Sequence, residues 1–172
     1  MTLSKIIAQL FGIMASCLNG IQTTSIHKEN ILKYNCLANT VSAIQYILLG
    51  AYTWVTSCLL AAARNIVFAH YNKKGKKAPL WVLITYIVIT ITINIPLYNS
   101  WYSIIPVMNI VVFGYAIWQD NVVITKLGSM FAGATGLVYN LIVEAYASLI
   151  SALIDLIGGT IGFIRKKVLK EE

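Results

Sequence analysis

Residues 78–119 read APLWVLITYIVITITINIPLYNSWYSIIPVMNIVVFGYAIWQ, without one Asp, Glu, Lys or Arg. A segment facing water rarely runs so long without charge, whereas a bilayer crossing needs about 20 mostly apolar residues. The stretch is long enough for two crossings, with a break at Asn94-Ile-Pro-Leu-Tyr-Asn99. Its run LITYIVITITINI is rich in β-branched residues and would suggest a strand in water. In lipid an unpaired strand leaves its backbone groups unsatisfied, so a helix is expected.

The rest of the chain repeats the pattern. No charge falls between Lys33 and Arg64 either, and overall 58% of the 172 residues are apolar and 11% charged. A soluble domain carries roughly a quarter charged residues, so a multi-span membrane protein is indicated. Seven helices are expected, at Ile6–Gln22, Ile31–Gly50, Trp54–Ala69, Leu80–Leu97, Trp101–Trp118, Val122–Val143 and Ala147–Ile164. Trp54, Trp81, Trp101 and Trp118 then fall near span ends, as interfacial aromatics do.

Seven crossings sort the charges. One side receives Lys28, Lys33, Lys73, Lys74, Lys76, Lys77, Lys126, Arg165, Lys166, Lys167 and Lys170, and the other Lys5 alone. Positive charge near span ends stays cytoplasmic, which places the N-terminus outside and the C-terminus inside. The alternative, a cleavable signal ending at Cys17, has Met14 three residues before the cysteine and would turn Lys73–Lys77 outward. The net charge of +7 is scattered in short clusters, not laid out as a basic stripe with stacking aromatics, so nucleic acid is not an expected partner. Cys17, Cys36 and Cys58 lack metal-ligand spacing and read as small buried hydrophobes.

Laying Tyr34–Lys73 over Gly128–Lys167, a shift of 94, aligns two helix pairs without a gap. Ala38/Ala132, Ala51/Ala145, Tyr52/Tyr146, Ser57/Ser151, Leu59/Leu153 and Lys73/Lys167 coincide, and both copies place Ala-Tyr between their helices. Ile6-Ile7 matches Ile104-Ile105 at a shift of 98, so the first and fifth spans correspond. The expected plan is all-α, a 3+1+3 arrangement: residues 1–72 as a first three-helix repeat, 73–98 as a basic loop and linking helix, 99–172 as the second repeat with a basic tail. An odd number of spans per repeat makes the two copies parallel.

That plan resembles the SWEET and PQ-loop superfamily of transporters. The stretches IIAQLFGIMA, SAIQYILLGAY, LLAAARNIVF, IIPVMNIVVFGY and IGFIRKK are more closely similar to the YgjV family of bacterial inner-membrane proteins. What the resemblance implies is a fold and a membrane location. The Pro-Gln dipeptide is absent, only Pro106 stands where SWEET proteins have a hinge proline, and Asn65 meets Gly159 in place of paired asparagines.

Ionisable groups inside spans suggest function by default. Arg64 and Asp155 qualify; one helical turn apart in repeat register, they could form a buried pair, and Arg64 could instead snorkel to the basic face. A central site is expected from Gln9, Asn39, Gln45, Asn65, Tyr139 and Asn140, each of which could equally serve as a hydrogen bond between helices. Ser129, Gly133 and Gly136, and Gly158 with Gly162, form small-residue faces for close packing. His27 and His70 lack partner ligands, and neither a metal nor another cofactor is expected. Without a nucleophile elbow or phosphate loop, no enzyme is expected. The leading expectation is a transporter or facilitator of a small polar solute; the alternative is a membrane scaffold or accessory subunit. The bilayer and that solute are the expected partners, with a second copy of the chain as a further candidate.

Overall fold

The computed structural model describes residues 3–25, 27–119 and 121–168, with no account of the side chains at 162 and 165–168. The readings that rest on Gly162, Arg165, Lys166, Lys167 and Lys170 lie outside the described residues. Among those described there are seven α-helices and no strand: α1 (Leu3–Thr24), α2 (Lys28–Leu49), α3 (Tyr52–Lys73), α4 (Leu80–Asn94), α5 (Ile104–Trp118), α6 (Val122–Ile142) and α7 (Tyr146–Val168). Short 3-10 turns at Ile95–Leu97 and Trp101–Ser103 carry α4 and α5 into the break around Pro96. The β-branched run of α4 is helical throughout. Among the described residues four segments are long and apolar enough to cross a bilayer: Leu3–Thr24, Leu80–Leu97, Trp101–Trp118 and Val122–Ile142.

Neighbouring helices pack in the order α1–α2–α3–α5–α6–α7 and back to α1, which closes a ring, while α4 lies against α3 and α5. The ring is polar inside and apolar outside. Gln22, Gln45 and Asn65 are each at most 2% exposed, whereas Ile66 and Trp81 are more than 60% exposed. Water would favour the reverse, and lipid favours this arrangement because hydrocarbon tails solvate Ile and Leu but not amides. Cys17 departs from the expected burial: it is exposed, on the outward face of α1 that also carries Ile13 and Ile21 one turn away on either side. Cys58 is buried.

The turns after α2 and α6 have one form. Gly50 ends α2 in the left-handed region at φ +73°, where a residue without Cβ meets no steric penalty. Glu144 takes the same region at φ +57° after α6, which costs a side-chain-bearing residue about 1–2 kcal/mol. The Ala51 N–H then donates to the Tyr46 carbonyl (3.0 Å) and the Ala145 N–H to the Asn140 carbonyl (2.9 Å). Lys5 of α1 pairs with the Glu144 carboxylate at 2.5 Å, the one ion pair among the described residues.

Glycines set how closely the helices approach. A Cβ on Gly133 would stand 2.6 Å from the Ala152 carbonyl oxygen and 2.7 Å from the Leu156 nitrogen, so only hydrogen lets α6 lie this near the α7 backbone.

Candidate functional site: the polar interior

Within the ring lies a cavity of about 120 Å³. An apolar void of about 150 Å³ holds a benzene molecule, so this slightly smaller one has room for a solute of about six heavy atoms. Its wall is drawn from α1, α2, α3, α5, α6 and α7 and is rich in amides and hydroxyls: Asn35, Asn39, Asn109, Asn140, Ser57 and Ser129 among them. Arg64 and Asp155 both border it.

Arg64 neither snorkels nor pairs with Asp155. It is 3% exposed, and its Nε and Nη2 donate to Asn65 Oδ1 at 3.3 and 3.0 Å. Its Nη1 reaches the Tyr86 hydroxyl (3.3 Å) and the Ile110 carbonyl (3.5 Å), and Nη2 reaches Asn35 Oδ1 (3.5 Å). The rings of Tyr86 and Phe113 lie 5.3 and 5.8 Å from the guanidinium carbon. Gly114 makes room for this, since a Cβ there would meet Tyr86 at 2.8 Å and Arg64 at 3.0 Å. Asn65 Nδ2 donates to Asn35 Oδ1 (2.6 Å) and Asn35 Nδ2 to Gln22 Oε1 (3.3 Å), which extends the network from α3 through α2 to α1.

Asp155 has different company. The Thr23 hydroxyl lies 3.2 Å from its Oδ1 and 2.6 Å from the Asn19 carbonyl, so it can donate to either. Lys126, counted above among the charges of one membrane face, is 4% exposed and donates to the Thr23 carbonyl. Its ammonium satisfies a carbonyl at the end of α1, where helical partners run out, and interacts electrostatically with Asp155.

The far end is aromatic. Trp54 stacks on Tyr139 at 4.5 Å and leans on Tyr46 at 5.3 Å, while Tyr102 meets Tyr139 edge-on at 6.1 Å. Trp54, read from sequence as an interfacial residue, therefore turns inward and borders the cavity. Trp81 and Trp101 face outward as expected. Trp118 is half-buried, its Nε1 donating to the Ala78 carbonyl at 2.8 Å.

Of the expected solute contacts, Asn39 and Asn140 border the cavity; the others stand back from it. Gln9 stitches α1 to the turn before α7, accepting from the Ala147 N–H (2.8 Å) and donating to the Glu144 carbonyl (3.1 Å). Gln45 is fully buried and accepts from the Ser148 hydroxyl (2.7 Å), while its Nε2 has no partner. Tyr139 is sealed beneath Trp54, and Asn65 supports Arg64. Asn35 and Asn109 are cavity residues that were visible in the sequence as intramembrane amides, and Gln22 and Asn19 lie on the inward face of α1.

The carboxamides and hydroxyls can hydrogen-bond a polar solute, and the two charged walls can orient one. No curated protein and no solved structure matches the chain. The sequence model of the Imp-YgjV family, described as bacterial inner membrane protein, matches residues 6–169. With nearly its whole length covered, the chain belongs to the YgjV family of bacterial inner-membrane proteins.

Proposed function

We propose that this chain moves a small polar solute across the inner membrane by alternating access between two parallel three-helix repeats, α1–α3 and α5–α7, with α4 as the link. The observation that carries the reading is the hydrogen-bonding cavity enclosed by both triplets within an apolar exterior. A scaffold has no use for such a space, and a packed interior would cost less.

Support for the duplicated plan comes from contacts that recur at the 94-residue shift. Tyr46 and Asn140 are equivalent positions and bond to each other, hydroxyl to Oδ1, at 2.6 Å. Gln45 against Ser148 has its counterpart in Tyr139 against Trp54. Gly50 and Glu144, both left-handed, are also equivalent. Exchanging the triplets maps the α1–α7 seam onto α5–α3, and both are packed. The orientation with the basic loops cytoplasmic gains support from Lys5, the lone cation of the opposite side, whose charge Glu144 offsets.

The test is flux of labelled small polar solutes into proteoliposomes holding the purified chain. Saturable uptake is expected, lowered by Ala132→Leu, which fills part of the cavity, with helix content checked by circular dichroism. Rates equal to those of protein-free vesicles for every solute would remove the transport reading.

A further inference from the structure

Arg64 has hydrogen-bond partners but no counter-charge. Asn65, Asn35, Tyr86 and the Ile110 carbonyl are all neutral, and among the described residues no carboxylate lies within ion-pair distance. Neutral dipoles solvate a guanidinium without cancelling its field, and an uncompensated charge in a low-dielectric interior is costly. The other buried charges do not supply the balance. Lys126 and Asp155 answer each other through Thr23, which leaves Arg64 as the surplus positive charge of the interior.

A second observation lies on the same helix face. Ser57 stands seven residues, about two turns, before Arg64 on α3. It is 5% exposed, borders the same cavity, and its Oγ has no hydrogen-bond partner. Its counterpart Ser151 donates to Ser16 Oγ at 2.7 Å, whereas the residue equivalent to Ser16 is Gly114, which offers no hydroxyl. Between Ser57 and Arg64 the wall is Cys58 and Ala61, with no side-chain nitrogen or oxygen. α3 thus presents an unsatisfied hydroxyl and a cation from positions about 10 Å apart along its backbone axis, separated by an apolar step.

We propose that the cavity takes a small organic carboxylate, its anionic end drawn to Arg64 and a hydrogen-bonding group at its other end to Ser57. A four-carbon hydroxy acid with a hydrogen bond of about 2.8 Å at each end spans the required distance. The proposal rests on the cavity being a solute site and names the class of solute.

The experiment compares 4-hydroxybutyrate, butyrate, 1,4-butanediol and 1,4-diaminobutane on the full chain in nanodiscs by calorimetry, and in proteoliposomes by flux. 4-Hydroxybutyrate should bind at least about tenfold tighter than the diol, with butyrate between them and the diamine excluded. Ser57→Ala should bring 4-hydroxybutyrate down to the level of butyrate and leave butyrate unchanged. Arg64→Gln should erase the preference for anions. The wild-type comparison decides the matter even where a variant fails to fold. A diol bound as tightly as the acid, a preferred diamine, or no binding of any probe overturns the carboxylate. Equal flux of diol and acid would keep transport and discard the carboxylate; tight acid binding without flux would keep the site and discard transport.

Discussion

Gly133 and Gly136 sit three residues apart on the face of α6 toward α7, and adding the same methyl group to each should have opposite effects. At Gly136 the new Cβ would lie 3.6 Å from the Ala152 Cβ, an ordinary contact. Gly136→Ala then gains helix stability of about 0.5–1 kcal/mol from reduced chain entropy, plus a little dispersion. At Gly133 the Cβ would come within 2.6 Å of the Ala152 oxygen, 2.7 Å of the Leu156 nitrogen and 3.1 Å of the Leu156 Cα, all backbone atoms that cannot turn aside. Reaching contact at about 3.5 Å requires α6 and α7 to part by about 0.9 Å. Overpacking of this kind costs about 1–3 kcal/mol, more than the propensity gain, so Gly133→Ala is net destabilising. The shared propensity gain cancels, so the two variants should differ by about 1–3 kcal/mol in reversible unfolding from bicelles, the outcome read by tryptophan fluorescence. Gly133→Ala as stable as Gly136→Ala would refute the helix spacing, and with it the shape of the cavity wall.

The two equivalent serines of the third and seventh helices should part company in the same assay. Ser151→Ala breaks the bond to Ser16 and should cost about 1 kcal/mol, whereas Ser57→Ala removes a hydroxyl without a partner and should be neutral or stabilising. The Lys5–Glu144 pair should respond to acid. Lys5 holds the Glu144 carboxyl below its ordinary range, chiefly by its hydrogen bond and then by its charge. A depressed carboxylate stabilises above its unfolded pKa of about 4.3 and loses that effect as pH falls through the lower folded value. The gap in thermal midpoint between wild type and Glu144→Gln should therefore be present at neutral pH and close below about pH 4; a gap independent of pH would remove the ion pair from the account.

The helices were legible because the signal for them is gross. A charge between Ala78 and Gln119 would have been costly to a crossing, and none is there, so two spans could be placed with ends within a few residues of those found. The lining of the interior was not legible to the same degree. Most helices of the ring carry polar groups on more than one side, and which side looks inward depends on how neighbouring helices cross. Gln45 and Tyr139 point at the opposite triplet yet are covered by Ser148 and Trp54, so they miss the open space by the thickness of one side chain. Gln9 stands back from the open space because its carboxamide matches the Ala147 N–H and the Glu144 carbonyl at the turn before α7. Lys126 looked like a loop charge, since nothing in the spacing reveals that the end of another helix waits within reach of its ammonium.

The two seams of the ring are fastened differently. Between α1 and α7, Gln9, Ser16 and Thr23 succeed one another down the helix, each bonded across the gap. Between α3 and α5 the crossing bonds are few, Arg64 to the Ile110 carbonyl foremost, with α4 laid against the outside of both helices. One edge is sewn and the other merely latched. If the chain transports as proposed, the latch is where widening of the interior is expected to begin, and the lipids bordering α4 would be the first to register it.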